Sequence, residues 1–362
     1  MTRKLRVVHM IGAAKPGGAE MFAYRLLVAQ HKRDELDVLA IVREGGWLQG
    51  VLADAGVPYK TAKFGGMFDF KTGREIRKIC KDYQADVVQS WMNRATRFVP
   101  KGPWAKVARL GGFYDLKYYT KKVDYLIGNT DEIVKYVVKH GWKASHAEMI
   151  GNFVPNVSGR DEKVGLKVRG ELGIPAGATV MMMAGRLHKV KGVDIALKAL
   201  AQMPNDFILL LVGDGPLRSE LQSLAHELGM QNRVRWAGWQ DSVTKFAAAS
   251  DIWLAPSRHE PLGNTVLDGW VHEVPVIASN TGGLAMLVEE GVTGLRVEVE
   301  DIDGLRDAVL KLAKDKKLQA KLVKGGSDRL KRDYSEDAIV GQYVDYYNRI
   351  TGRTVKEQGT KS

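Results

Sequence analysis

Short apolar, β-branched runs alternate along the chain with longer segments of helical periodicity. In the first half the runs are LRVVHMI (5–11), DVLAIV (37–42), DVVQSW (86–91), KVARL (106–110) and YLIGN (125–129). In the second half they are TVMMMAG (179–185), FILLLVG (207–213), RVRWAG (233–238), DIWLAPS (251–257), PVIAS (275–279) and GLRVEV (294–299). Near-continuous hydrophobicity in strands this short predicts parallel strands covered on both faces. Strands alternating with helices predict right-handed βαβ units. The pattern starts afresh near Thr179, after the polar, glycine-containing stretch 156–178. The expected fold class is therefore α/β, with two doubly wound Rossmann-like domains over residues 1–155 and 156–333. A last amphipathic helix over 334–350 is able to pack on either domain, and we place it back on the N-terminal one. The tail 351–362 reads as disordered. Ligands of such open sheets bind beyond the carboxyl ends of the strands, and the two domains are expected to face each other across a cleft.

Composition supports this picture. A chain of 362 residues is too long for one ordinary core, and 45% apolar with 27% charged residues describes a globular protein. No run approaches the roughly 20 apolar residues of a membrane helix. The first 18 residues have a short apolar stretch, broken by His9 and ended by Lys15-Pro16, so they read as a strand rather than a signal peptide. Cys80 is the only cysteine and sits in an amphipathic pattern, which suggests a half-buried thiol rather than a nucleophile. A cytoplasmic protein fits best, with a peripheral place on the inner face of the plasma membrane as the alternative.

Charge adds one feature. The net charge is +12, and residues 1–153 carry 26 Lys and Arg against 15 acids, whereas residues 154–362 carry 28 against 27. Such asymmetry points to an acidic partner for the first half: nucleic acid, a membrane or a phosphorylated substrate. Between Arg94 and Lys122 lie eight cations (with Arg97, Lys101, Lys106, Arg109, Lys117 and Lys121 between) and a single acid, Asp115. Trp104, Phe113, Tyr114, Tyr118 and Tyr119 are interleaved with them, a mixture suited to an anionic membrane surface. Single-stranded nucleic acid suits it too, as does a solvated basic face whose aromatics are core.

The candidate chemistry lies just after strands. In GAAKPGGAE (12–20), Gly17 and Gly18 precede a helix, where backbone N–H groups favour an anion. The stretch has neither G-x-G-x-x-G nor a Walker lysine, so a nicotinamide or P-loop reading is weak. In AGRLHKVKGVD (184–194), Arg186 and Lys191 stand before a helix opened by Gly192. Two cations where the helix dipole is already positive repel unless an anion meets them, and a diphosphate would do so. Gly213 and Gly215, in VGDGPLRSEL (212–221), leave room for a flat ligand. In SRHEPLGNTVLDGW (257–270), Glu260 lies in a Pro- and Gly-shaped loop and Asp268 one turn into a helix expected from Asn264 to Val271. Each carboxylate is able to accept from a pair of hydroxyls. His259 and His272 are nearby, but no three-ligand spacing emerges, so no metal site is expected. Gly282-Gly283 form another turn before a helix.

GRLHKVKG, VGDGPLRSEL, EPLGNTVLD and GGLAMLVEEGVTGL, in this order and spacing, resemble the retaining nucleotide-sugar glycosyltransferases of the two-Rossmann (GT-B) fold. This is the large group 1 family that includes sucrose synthase, phosphatidylinositol mannosyltransferase and lipopolysaccharide-core transferases. PGGAE extends the likeness to the N-terminal glycine loop. The resemblance implies that Arg186 and Lys191 grip the donor diphosphate. It implies that Glu260 contacts the donor sugar and that the backbone amides of Gly263, Asn264 and Thr265 touch sugar and phosphate. Asp268 would bind the ribose hydroxyls, and Gly17 and Gly18 would close on the phosphate. The catalytic set would be Glu260, Arg186 and Lys191, with no metal and no cofactor beyond the nucleotide-sugar substrate. There are two departures. The second acid is Asp rather than Glu. The family histidine after the strand matching DVVQSW is missing, with Gln89, Ser90, Trp91, Asn93 and Arg94 in its place.

The expected function is retaining transfer of a sugar to the hydroxyl of a glycan or glycolipid acceptor, in bacterial lipopolysaccharide or cell-envelope glycan synthesis. A nucleotide-sugar 2-epimerase of the same architecture is the alternative enzyme. A basic nucleic-acid-binding protein is the alternative of another class, but no nucleic-acid-binding motif is present and nucleic acid is not expected as a partner.

Overall fold

The structure, a computed structural model, describes residues 3–66, 69–154 and 159–353. It divides into two compact units. The first holds the chain up to Asn152 and resumes at Glu336; the second runs from Phe153 to Ser335. Residues 155–158, where the sequence places the domain boundary, lie outside the described residues, as does the tail from residue 354 on.

The first unit is built on seven parallel strands: β1 (Leu5–Ile11), β2 (Leu36–Arg43), β3 (Tyr59–Ala62), β4 (Val87–Trp91), β5 (Ala105–Leu110), β6 (Tyr125–Gly128) and β7 (Ala147–Met149). Their order is β3-β2-β1-β4-β5-β6-β7. The five apolar runs of the first half are the five inner strands. The two edges, YKTA and AEM, are absent from the hydrophobic pattern because edge strands are half-exposed and need no apolar run. The helix Glu336–Ile350 closes this unit. Tyr343 and Tyr347 on it are fully buried. The Tyr343 hydroxyl accepts from Arg109 Nε at 2.7 Å, and the Tyr347 hydroxyl donates to Gln89 Oε1 at 2.7 Å. Arg349 pairs with Glu148, and Arg353 with Asp86 at 3.0 Å.

Among the described residues Arg109 is thus a buried cation with no carboxylate paired to it. Besides Tyr343 it donates to Asn152 Oδ1 at 2.7 Å, and it lies over the rings of Phe22 (4.5 Å) and Trp91 (5.1 Å). Beside it, His9 is buried with Nε2 2.8 Å from Gln30 Oε1 and Nδ1 3.2 Å from Trp91 Nε1. An indole N–H only donates. Nδ1 must therefore accept, and Nε2–H donates to Gln30. Burial lowers the His9 pKa to about 4, against the opposing Gln30 bond. Cys80 is fully buried, and burial pushes its thiol up to about 12, which leaves it inert.

The second unit has six parallel strands: β8 (Thr179–Ala184), β9 (Phe207–Val212), β10 (Val234–Gly238), β11 (Ile252–Ala255), β12 (Val276–Ser279) and β13 (Leu295–Val297). Their order is β10-β9-β8-β11-β12-β13. All six arise from the apolar runs. Along β8, Val180 and Met182 join one apolar cluster and Met181 and Met183 another. Successive side chains point to opposite faces, so both faces are covered and the run is continuous.

Candidate active site

In the second unit the chain leaves β8 through Gly185 and Arg186, whose side chain is exposed. It then makes one 3-10 turn, Lys189–Lys191, before the helix Val193–Ala201. Gly192 joins the two in the left-handed region, at φ 68°. A Cβ there would lie 2.0 Å from the Pro256 carbonyl oxygen, so only glycine lets this turn pack on the end of β11. The contact sets Lys191 beside the loop after β11. No side chain caps the helix at Gly192.

That loop carries Glu260, which is 9% exposed. Its carboxylate pairs with Lys191 Nζ. Its carbonyl accepts from Gly283 N at 2.8 Å. Gly263, at φ 71°, opens the helix Asn264–Val271 without a side-chain cap. A Cβ on Gly263 would meet Leu287 Cδ1 at 2.5 Å and the Gly283 carbonyl oxygen at 2.9 Å. The Gly282-Gly283 turn is thus the platform on which the Glu260 loop rests. Thr265 is buried, its hydroxyl accepting from Trp253 Nε1 at 2.9 Å. Asp268 is half-exposed one turn along.

Two groups the sequence reading passed over complete the region. Arg258 donates twice to Asp194, at 2.7 Å each, and pairs with Glu300; its backbone N–H reaches the Val190 carbonyl at 2.8 Å. This brace ties the Glu260 loop to the Lys191 turn and to the first turn of the helix Val193–Ala201. Burial pushes the Asp194 pKa up, but the Arg258 guanidinium outweighs it and holds the carboxyl below its ordinary value. Trp239 is 69% exposed and lines a cavity of about 390 Å³ with Arg186, Gly213 and Asp214. The sequence held no signal for Trp239; its exposure beside Arg186 appears only in the fold. Gly213 is explained by packing instead: a Cβ there would lie 1.9 Å from the Gly185 carbonyl oxygen. His272 is structural as well. Its Nδ1 lies 2.7 Å from the Asp268 carbonyl, its Nε2 3.0 Å from the Thr244 hydroxyl, and burial lowers its pKa despite the carbonyl bond.

In the first unit, Gly17 caps the helix Gly18–His31 with extended backbone. Neither glycine is required by the fold. A Cβ on Gly18 meets nothing within 4 Å, and one on Gly17 meets only Glu20, chiefly its carboxylate tip. Trp91, which ends β4, is buried; beyond it Asn93 accepts from the Tyr119 hydroxyl, and Arg94 is exposed. The basic, aromatic stretch from Arg94 to Lys122 is not one surface. Trp104, Arg109 and Tyr119 are core, because the strand β5 and the segment behind it need apolar and stacked partners. Phe113 and Tyr118, about half exposed, remain outside with Lys117, Lys121 and Lys122.

Among the described residues no group of three or more His, Cys, Asp or Glu side chains is placed to hold a metal ion. Among them, too, no helix is long and apolar enough to cross a membrane. Residues 166–329 match the family glycosyl transferases group 1. The chain is 33% identical to the lipopolysaccharide core biosynthesis glycosyltransferase LpsD of Rhizobium meliloti (strain 1021), over 95% of this chain and 98% of that one. It is 32% identical to LpsE of the same organism, described in the same words, over 91% and 95%. The fold matches that of the Anabaena protein Alr3699/HepE, crystallised with UDP and glucose, with a TM-score of 0.79 at 21% identity over 95% of this chain and all of that one. With its two parallel sheets it is a GT-B fold. Ordered loops, fold and full-length relatives agree: the chain is a glycosyltransferase and belongs to the glycosyl transferases group 1 family.

Proposed function

We propose that the protein transfers a sugar from a nucleoside diphosphate sugar to an acceptor hydroxyl, with retention at the anomeric carbon and without a metal. The observation that carries this reading is the Lys191–Glu260 pair, held between two loops at the carboxyl ends of β8 and β11 and flanked by two helices without side-chain caps. Arg186 and Lys191 meet the diphosphate, Glu260 the hydroxyls of the donor sugar, and Asp268 the ribose. The N-terminal amides at Gly263, Asn264 and Thr265 add backbone donors. The base lies on Trp239, whose open face suits stacking. Gly17 and Gly18 leave the first unit's helix start uncovered for the phosphate.

The anomeric C–O bond to the diphosphate breaks as the bond to the acceptor oxygen forms on the same face, and the acceptor proton passes to the leaving phosphate oxygen. Charge growing on that phosphate is met by fixed cations and dipoles. Double displacement would need a carboxylate at the anomeric carbon, whereas Glu260 is engaged with Lys191. The relatives' roles in lipopolysaccharide core biosynthesis favour a glycolipid acceptor of the cell envelope, reached from the cytoplasmic face of the plasma membrane. Lys117, Lys121 and Lys122 with Phe113 and Tyr118 would face the anionic lipid. Family membership favours transfer over 2-epimerisation.

The test is a thermal-shift screen of UDP, GDP, ADP and their sugars, followed by assignment of the product's anomeric configuration by NMR. One nucleotide series should stabilise the protein, and the linkage formed should keep the donor's configuration. No stabilisation by any nucleotide, or an inverted product, sinks the reading.

A further inference from the structure

The first unit carries an unassigned cation at the end of its sheet where ligands of such folds bind. Ile11 and Trp91 are register partners on β1 and β4, so Gly12 and Met92 leave the sheet side by side. Met92 has φ 57° and Phe64, just beyond β3, has φ 46°. These are left-handed conformations that bulky side chains adopt only at a cost, and such costs gather at functional sites. Arg94 lies among them. A Cβ on Gly12 would lie 3.0 Å from Arg94 Cγ and 3.2 Å from both Arg94 Cδ and Phe64 Cδ1. Glycine therefore makes the room in which the arginine stem is seated, while the residue as a whole is exposed. Among the described residues Arg94 forms no ion pair, so its guanidinium is not committed to a carboxylate of this chain.

We propose that Arg94 reads an anionic group, a phosphate or a carboxylate, on the acceptor sugar, and so sets the acceptor class as an acidic glycan. The inference rests on the transferase reading above. A guanidinium offers a planar, bidentate fork that matches both anions. A seated stem presents that fork with less conformational freedom to lose on binding.

The experiment uses the full chain saturated with its preferred nucleoside diphosphate, so that Arg186 and Lys191 are occupied. Glucose 6-phosphate, glucuronate and methyl glucoside are titrated by calorimetry into wild type, Arg94→Ala, Arg94→Lys and Gly12→Ala. Wild type should bind at least one anionic probe about tenfold more tightly than methyl glucoside. Preference for the phosphate or for the carboxylate tells which anion the acceptor bears. Arg94→Ala should lose the preference while the nucleotide affinity stays within about twofold, and Arg94→Lys should keep part of it for the phosphate. Gly12→Ala, which displaces the stem, should weaken it with the fold intact by circular dichroism. Equal binding of all three sugars by wild type, or a preference that survives in Arg94→Ala, overturns the proposal. Failure of every nucleotide to bind sinks the transferase reading instead.

Discussion

Lys191 and Glu260, 69 residues apart in sequence, form an ion pair between the turn after β8 and the loop after β11. Their side chains are 26% and 12% exposed, so each desolvated charge is compensated by the other. A donor with a negative diphosphate and a hydroxylated sugar would offer each member a partner of the kind it already has. Lys191→Ala should therefore act on turnover. A charge-assisted contact is worth about 1.5–3 kcal/mol, so kcat/KM should fall by roughly 10- to 150-fold with the protein still folded. Lys191→Ala/Glu260→Gln should lose less than the sum of the single losses, because the two act together. Turnover near wild type with saturating donor would remove Lys191 from the diphosphate site.

Trp239 should hold the nucleobase. Base stacking on an aromatic is worth about 1–3 kcal/mol, so Trp239→Ala should weaken nucleoside diphosphate binding by roughly 5- to 150-fold, while affinity for inorganic pyrophosphate hardly changes. Calorimetry on both ligands checks this. An equal loss for pyrophosphate would mean that Trp239 shapes the Arg186 loop rather than touching the base.

Asp268 is one methylene shorter than the acid its family uses. It should still accept from the ribose, since it stands one turn into the helix Asn264–Val271. Asp268→Ala should raise the donor KM about tenfold, in line with a lost bond to a charged acceptor. The 2′-deoxy donor should be penalised less by that variant than by wild type. Identical penalties would place Asp268 away from the 2′-hydroxyl.

His9 predicts an acid limit to stability. Its pKa is lowered from 6.5 to about 4 in the folded protein, so between these values the unfolded chain binds more protons. Stability is fully present above about 6.5 and is lost as pH falls towards 4, by an amount of order 3 kcal/mol. Protonation would turn Nδ1–H against the Trp91 N–H, donor against donor. Thermal unfolding from pH 7 to 4 should fall steeply in wild type and more gently in His9→Gln. Parallel curves would assign the loss to other groups.

The membrane prediction is confined to the cations and aromatics that remain outside. Wild type should co-sediment with anionic vesicles at low salt, less so at physiological salt, and not with neutral ones. Lys117→Glu/Lys121→Glu/Lys122→Glu should abolish this with donor hydrolysis intact. Equal pelleting of variant and wild type would show that this face does not meet lipid.

The apolar runs alone determined eleven of the thirteen described strands, the nine inner ones and the edges β10 and β13. A parallel strand covered on both faces is hydrophobic almost throughout, as β9 is at every position and β8 is from Val180 to Met183. The turn glycines and the helix after Gly263 were legible for a related reason: left-handed backbone and helix starts restrict residue type locally. The edge strands β3 and β7 were not: pairing on one side only relaxes that demand, and YKTA and AEM are short and half-exposed, whereas the edges β10 and β13 keep apolar runs. Only the tertiary structure decided that Lys191 faces Glu260 and that Arg258 braces both loops. It also decided that Trp104, Arg109 and Tyr119 belong to the core while Trp239 does not. Those outcomes depend on which residues distant in the chain fill the space beside each one, and a charge or a ring carries no mark of its neighbour in the sequence.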